Sequence, residues 1–415
     1  MYNRKEGELT MEYYIEDLTD DGQGVAKVNG KVYFIENGQL GERCEARVLE
    51  QKKNITFMEK TKTVEASPYH VEPRCPHFYE CDGCSLQNIT YEKELALKKT
   101  HIENTLLRIG GEKKWDIPIL PGEEYGYRNK VRLQVKGEKL GYYNRKSHHF
   151  VPISTCPIAG EVINRNLKAI EQVLQGKDHR IEKIEIRENG KEIQLGVIGK
   201  KISPSILNAF RKISDIIEVQ MKEKGNYKNF YRKKKFYQTI GNYQYELSQD
   251  SFFQVNLMTT KILYDEIKGF VGEGKKILEL YCGIGSISIY IAEHNEITGV
   301  EIVEKAVQDA KRNARLNDIR NISFLCGKAE DLFRQKDPYK TLVVDPPRAG
   351  LHKKLVERIG QSKVQEIIYT SCNPATFARD LKRLKKHGFQ LKEITAVDQF
   401  SQTLHVECVA LMTKG

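Results

Sequence analysis

Two strand-like runs in this chain end in residues able to make and break covalent bonds. Leu342-Val343-Val344 runs into Asp345-Pro346-Pro347-Arg348-Ala349-Gly350. Paired prolines hold the backbone extended after the strand. Asp345 is therefore expected at the carboxyl edge of a sheet, where α/β folds bind ligands. The second run, Ile367-Ile368-Tyr369-Thr370-Ser371, delivers Cys372 into an Asn373-Pro374 turn. A lone cysteine is most often a small buried hydrophobe. A strand end, an Asn-Pro turn and a neighbouring Asp-Pro-Pro turn instead favour a working thiol. A third run, Ile277-Leu278-Glu279-Leu280-Tyr281-Cys282-Gly283-Ile284-Gly285, closes a strand in a glycine turn. Gly283 and Gly285 allow close approach of backbone to ligand. Glu301, at the end of Ile297-Thr298-Gly299-Val300, could accept both ribose hydroxyls of an adenosine. The glycine pair alone is weak, since dinucleotide-binding folds use similar loops, but the absence of the third glycine of G-x-G-x-x-G, in a chain that also carries the strings around Asp345 and Cys372, favours S-adenosylmethionine.

Four other cysteines have ligand-like spacing. Cys75, Cys81 and Cys84 form C-x5-C-x2-C around Gly83, and Cys156 is a distant fourth in Ser154-Thr155-Cys156-Pro157. Four thiolates can hold zinc or an iron–sulfur cluster, and spacing alone leans to zinc. Cys44 falls in a predicted barrel strand, and Cys282, Cys326 and Cys408 fall in the sheet that carries Cys372.

These groups need elements to position them. The 415 residues suffice for two or three domains without disulfides. Residues 10–66 alternate apolar and polar between glycine turns, the pattern of a small antiparallel barrel, an architecture that often binds nucleic acid. Residues 91–109 read as an amphipathic helix. Residues 125–240 alternate strand-like runs with a helix near 161–175. Residues 222–247 interleave bases and aromatics, a composition suited to RNA or to a solvated hairpin. From 248 onward, strands and helices alternate as in a doubly wound sheet. The expected segments are a barrel at 1–67, an α+β region at 68–247 and a Rossmann-like α/β domain at 248–415. The 67 Lys+Arg outnumber the 56 Asp+Glu, for a net charge of +11, which suits a polyanionic partner. No export signal or apolar membrane-spanning run is evident. The nine cysteines then read as reduced thiols, ligands or a nucleophile of a cytoplasmic protein.

Phe252-Phe253-Gln254-Val255-Asn256, LELYCGIG, DPPRAG, SCNPATFARD and His405-Val406-Glu407, in this order, resemble the RNA (uracil-C5)-methyltransferases, ribosomal RNA branch. The resemblance covers nearly the whole chain, and the N-terminal barrel looks like that family's TRAM module. It implies methylation of carbon 5 of a uridine, most simply in 23S ribosomal RNA, by a monomer. It further implies Cys372 as the covalent nucleophile and Glu407 as the base that removes the carbon-5 proton. Cys408, alternating with Glu407 on the last strand, is expected in the core. Gln254, Tyr281, Glu301 and Asp345 are the implied cofactor contacts. Ser286 and Lys328 occupy two further pocket positions but differ from the amide side chains of some relatives, and Ser401 replaces a common proline. The resemblance also turns the four-cysteine reading from zinc to a [4Fe–4S] cluster on Cys75, Cys81, Cys84 and Cys156. Three alternatives remain: a transfer-RNA uridine methyltransferase, a non-catalytic iron–sulfur RNA-binding protein and, weakest, a cytosine-C5 methyltransferase, whose usual Pro-Cys pair is absent because Ser371 precedes Cys372.

Overall fold

The computed structural model describes residues 11–415 except 20, 54, 178 and 224. The first ten residues of the expected barrel lie outside the described residues. The chain forms two compact units, one of Met1–Lys98 with Gln402–Leu404, the other of Lys99–Ser401 with His405–Gly415.

In the first unit, alternating apolar residues bury one face of a six-stranded sheet. The order is Glu12–Tyr14, Arg43–Lys52, Ile55–Glu65, Lys31–Glu36, Gly24–Val28, Asp17–Leu18. Asn29 and Gly30, at φ 49° and 76°, supply the two left-handed positions of a tight hairpin. The sheet is antiparallel except where Lys31–Glu36 runs parallel to Ile55–Glu65, which the sequence reading did not foresee. Tyr13, Ile15, Ala26, Ile35, Cys44 and Met58 form its core with Leu86 and Leu97.

The second unit contains a seven-stranded sheet, Lys130–Lys136 through Asn226–Arg232, whose apolar face packs under helices Glu161–Leu174 and Pro204–Phe210. Its other face is polar yet buried around Glu185, Arg187, Gln194 and Glu218. These groups face the chain leading to Gln254. Arg187 donates to the carbonyls of Ser248 (3.0 Å) and Ser251 (2.8 Å). Lys130 donates to that of Gln249 at 3.2 Å. Asn129 donates from its backbone to Val255 (2.8 Å) and from its side chain to Gln254 O (3.0 Å). The sheet thus fixes the Phe252–Asn256 loop.

The basic-aromatic run 222–247 divides its labour. Phe236 and Tyr245 are core residues and Tyr227 is buried, whereas Lys228, Phe230 and Arg232 through Lys235 are exposed. The second group is the one open to a polyanionic partner, while the buried rings serve packing.

The remainder is an α/β domain. Its strands are β1 (Lys276–Leu280), β2 (Glu296–Glu301), β3 (Ile322–Cys326), β4 (Thr341–Val344), β5 (Glu366–Ser371), β6 (Phe389–Val397) and β7 (Glu407–Lys414). Their order is β3-β2-β1-β4-β5-β7-β6, with Ile119–Leu120 added beside β6. The first five are mutually parallel, and β7 is antiparallel to both neighbours. The sequence reading lacked β6, whose charged residues Lys392 and Glu393 interrupt its alternation at a register shift. Helices α1 (Leu257–Val271), α2 (Ser286–Ile291) and α3 (Glu304–Leu316) cover one face. Helices α4 (Lys353–Gly360) and α5 (Pro374–Lys385) cover the other. Among the described residues no helix is long and apolar enough to cross a membrane.

Candidate active site

Strand alternation gathers the reactive groups. Ile277, Val343, Ile368 and Val409 pack on the α1 face, while Leu278, Leu342, Ile367 and Cys408 pack on the other. Continuing the two-residue period puts Glu279, Asp345, Cys372 and Glu407 on the α1 side. The β5–β7 ladder pairs Ser371 with Cys408. One step further, Cys372 stands opposite Glu407, and opposed residues share a face. Cys408 is buried in the core beneath, as expected.

The thiol is half-buried at this edge. Burial raises its pKa, the Glu407 and Asp345 charges raise it further, and a hydrogen bond and charge from Arg348 oppose them. Glu407 is only 3% exposed, and burial, then the Asp345 charge, lift its pKa well above the carboxylate range. Asp345 is pushed up to about 7 by burial. Glu279 rises to about 8, again by burial first, although Ser288 donates to it. The centre therefore holds three carboxyls of raised basicity and one arginine beside the thiol.

Arg348 is held through its backbone. Its carbonyl accepts from Asn373 Nδ2 (3.3 Å) and Thr376 Oγ1 (3.1 Å), both just beyond Cys372. Arg379 Nη2 donates to Ala349 O at 2.7 Å. Asp380, fully buried, accepts from Leu351 N (2.7 Å), Tyr369 Oη (3.0 Å) and Arg379 Nε (3.0 Å). The Asp345 turn and the thiol-bearing turn are thus one clamped assembly.

Two pockets meet at Tyr281. One is lined by Phe252, Gln254, Glu279, Gly283, Ser286 and Asp345 among others. The other is lined by Val300, Ile302, Gly327, Lys328, Ala329 and Glu330 with Tyr281. Tyr281 is left-handed at φ 67°, a conformation rarely kept outside functional turns. Gly283 and Gly285 follow at φ 54° and 77°. A Cβ on Gly285 would strike Phe324 and Ala310, whereas one on Gly283 would enter open space, so only the latter borders ligand volume. Glu301 accepts from Gly283 N (3.1 Å) and Val303 N (2.9 Å), which fixes its carboxylate beside the loop. Ser286 is engaged by the Tyr264 hydroxyl at 2.8 Å. Lys328 is exposed and caps a short helix at the second pocket. Of the expected cofactor residues, Gln254, Tyr281, Gly283, Ser286 and Asp345 line the first pocket and Lys328 the second, Gly285 sits on the loop, and Glu301 lines neither pocket.

Sequence reasoning missed Arg348, Glu279 and Tyr264. Arg348 stood inside the DPPRAG string, and Glu279 shares the strand-end parity of Asp345. Those signals could have found these two, whereas nothing in the sequence marked Tyr264.

Cys75, Cys81 and Cys84 lie in a turn-wound segment of the first unit, with Asp82 left-handed and Gly83 against the Cys81 sulfur. Cys156 belongs to the second unit, in a turn braced by Asn164 Oδ1 accepting from Cys156 N at 2.8 Å. Among the described residues no group of three or more His, Cys, Asp or Glu side chains is arranged to hold a metal ion.

Comparison with known proteins accounts for this arrangement. Residues 5–57 match the TRAM domain. An RNA methyltransferase of Bacillus cereus, described as uncharacterized, is 34% identical, covering 96% of this chain and 95% of that protein. One from Clostridium tetani is 30% identical over 97% of this chain and 96% of its own. The crystal structure of Pyrococcus abyssi tRNA (uracil-54, C5)-methyltransferase with S-adenosyl-L-homocysteine is similar at TM-score 0.81 and 26% identity, covering 97% of this chain and all of that one. With residues 90–415 matching the tRNA (Uracil-5-)-methyltransferase family, the chain belongs to that family of S-adenosylmethionine-dependent RNA methyltransferases.

Proposed function

We propose that this enzyme methylates carbon 5 of a uridine in 23S ribosomal RNA through a covalent bond between Cys372 and carbon 6 of the base. The observation that carries this reading is the β5–β7 register, which ends with Ser371 opposite Cys408 and leaves the Cys372 thiol within reach of the Glu407 and Asp345 charges, Asp345 lining the Gln254 pocket. Carbon 5 of uracil is too weak a nucleophile on its own. Attack of the Cys372 thiolate on carbon 6 forms the S–C6 bond and moves the electron pair toward carbon 5 and the 4-oxygen. S-adenosylmethionine supplies an electrophilic methyl group. Glu407 then takes the proton from carbon 5, the C5–C6 double bond re-forms and the S–C6 bond breaks. Arg348 offsets the thiolate charge. Gln254, Tyr281, Gly283, Gly285, Ser286, Glu301, Lys328 and Asp345 form the cofactor site in this reading. The exposed cations around Phe230 serve the RNA backbone, with the TRAM barrel as a second contact, and the enzyme acts in the cytoplasm.

Labelled methyl transfer to RNA, followed by nucleoside analysis, tests this directly. 5-Methyluridine made by the wild type and abolished in Cys372→Ala is the expected result. Label on cytidine, or an active alanine variant, rejects it.

A second reading, a transfer-RNA substrate, is favoured by the Pyrococcus abyssi neighbour. That likeness spans 97% of this chain, so the N-terminal barrel does not separate the two readings. Turnover on 23S transcripts against transfer-RNA transcripts decides. We also propose a [4Fe–4S] cluster on Cys75, Cys81, Cys84 and Cys156, supported by the family resemblance and the turn-wound setting of these thiols. The cluster would order the RNA-binding region, and no step of methyl transfer runs through it. Anaerobically purified protein should carry about four irons with matching sulfide, and Cys81→Ser should lose them while still binding S-adenosylmethionine. Stoichiometric zinc without sulfide would defeat this assignment alone.

A further inference from the structure

Gln399, in the loop between β6 and β7, is fully buried and plays no part in the chemistry above. Its amide orientation is determined by its surroundings. Asn256 O, which can only accept, already receives Thr260 N (3.0 Å), and Gln399 Nε2 lies 3.3 Å from it. Thr260 donates its own hydroxyl proton to Asn256 O at 2.5 Å, so toward Gln399 Nε2, 2.9 Å away, it is an acceptor. The Thr259 hydroxyl lies 2.6 Å from Gln399 Oε1. Turning the amide over would set its oxygen against a carbonyl, which buried groups avoid. Its two N–H are shared among three acceptors, and the longest of these contacts is to Gln254 Oε1 at 3.4 Å. Gln254 is itself 8% exposed and lines the pocket beside Asp345. With its oxygen turned to Gln399, its Nε2 is left for the pocket, and among the described residues no acceptor takes a hydrogen bond from it.

We propose that Gln399 is a positioning residue that locks Gln254 as a hydrogen-bond donor into the pocket, so that the site selects a ligand oxygen there. This rests on the methyltransferase reading. The oxygen is either a ring carbonyl of the target base or the carboxylate of S-adenosylmethionine. A cytosine would place an amino group where uracil has its 4-oxygen, setting donor against donor. A site built to pair with one group rejects the analogue that lacks it.

The test is a double-mutant cycle of Gln399→Met and Gln254→Met, with melting temperature followed in parallel. Gln399→Met should lower kcat/KM for uridine RNA about tenfold, the scale of one hydrogen bond, and should add little in the Gln254→Met background. If the oxygen belongs to the base, KM for RNA rises and discrimination against cytidine at the target falls. If it belongs to the cofactor, S-adenosylmethionine binding weakens and KM for RNA holds. Additive losses, or losses that merely follow melting temperature, overturn the proposal. Thr259→Val, which removes the hydroxyl holding Gln399 Oε1, should give a smaller loss of the same pattern and serves if Gln399→Met does not fold. Wild-type protein that methylates uridine while the cycle is additive sinks this inference alone. Wild-type protein that does not methylate uridine sinks the reading beneath it.

Discussion

Cys372 sits among acids, and that sets its pH dependence. Burial with the Glu407 and Asp345 charges raises the thiol, and Glu407 is itself raised. In the proposed mechanism both act deprotonated, so kcat/KM should climb with pH through neutrality into the alkaline range. A pH–rate profile checks this, and a plateau from pH 6 onward would contradict it. Arg348 is the opposing charge. Arg348→Ala should lower kcat/KM at neutral pH about tenfold to a hundredfold, the scale of one charge-assisted hydrogen bond. The loss should shrink as pH rises and the thiol ionises unaided. A deficit independent of pH would mean that the arginine serves binding instead. At this scale the sequence was readable where residue type and strand end coincide, as at Asp345 and Cys372. Glu407 was readable only through the HVE string, because an isolated carboxylate on a strand carries no signal of burial. Arg348 escaped because an arginine after two prolines looks like an exposed turn residue, and its role depends on the clamp from α5.

That clamp belongs to the scale of elements. Asp380 on α5 joins the Asp345 turn, β5 and two arginines in one buried network. Asp380→Ala removes a fully buried charge that binds these elements and should destabilise the fold by about 3–5 kcal/mol. Denaturant unfolding measures this, and a change under 1 kcal/mol would show that the network is dispensable. Gly350 is a companion case: at φ 74° with Asp380 and Arg379 pressed against it, it admits no side chain. Helix Glu161–Leu174 and the strands ending in chemistry were legible from periodicity. β6 was not, because its register shift breaks the period-two pattern. Nor was the role of the seven-stranded sheet as the brace for Gln254, which arises from buried polar residues that read as surface.

Over the whole molecule the acidic centre makes a prediction about the cofactor. The sulfonium of S-adenosylmethionine carries a positive charge that S-adenosylhomocysteine lacks. Asp345 at about 7 and Glu279 at about 8 line the same pocket and ionise more readily beside a cation. The ratio of the two affinities should therefore shift toward S-adenosylmethionine as pH rises from about 6 to 8, with proton release on binding detectable by calorimetry. A ratio constant across that range would remove the sulfonium from the acidic pocket. Net charge +11 and the exposed cations of 228–235 further predict RNA affinity that falls steeply with salt. The α/β domain and the RNA partner were legible from motif order and charge. The division into units at Lys98 was not, since no glycine or proline linker marks it.

The central claim is the covalent bond from Cys372 to the base. In the proposed mechanism, RNA carrying 5-fluorouridine at the target offers no proton for Glu407 to remove, so methyl transfer should halt at the adduct. Incubation with S-adenosylmethionine, digestion and mass spectrometry should find one methylated fluorouridine on the peptide containing Cys372, and none with Cys372→Ala. Full turnover on uridine RNA with no adduct on fluorinated RNA, or an adduct on any other cysteine, would contradict the account.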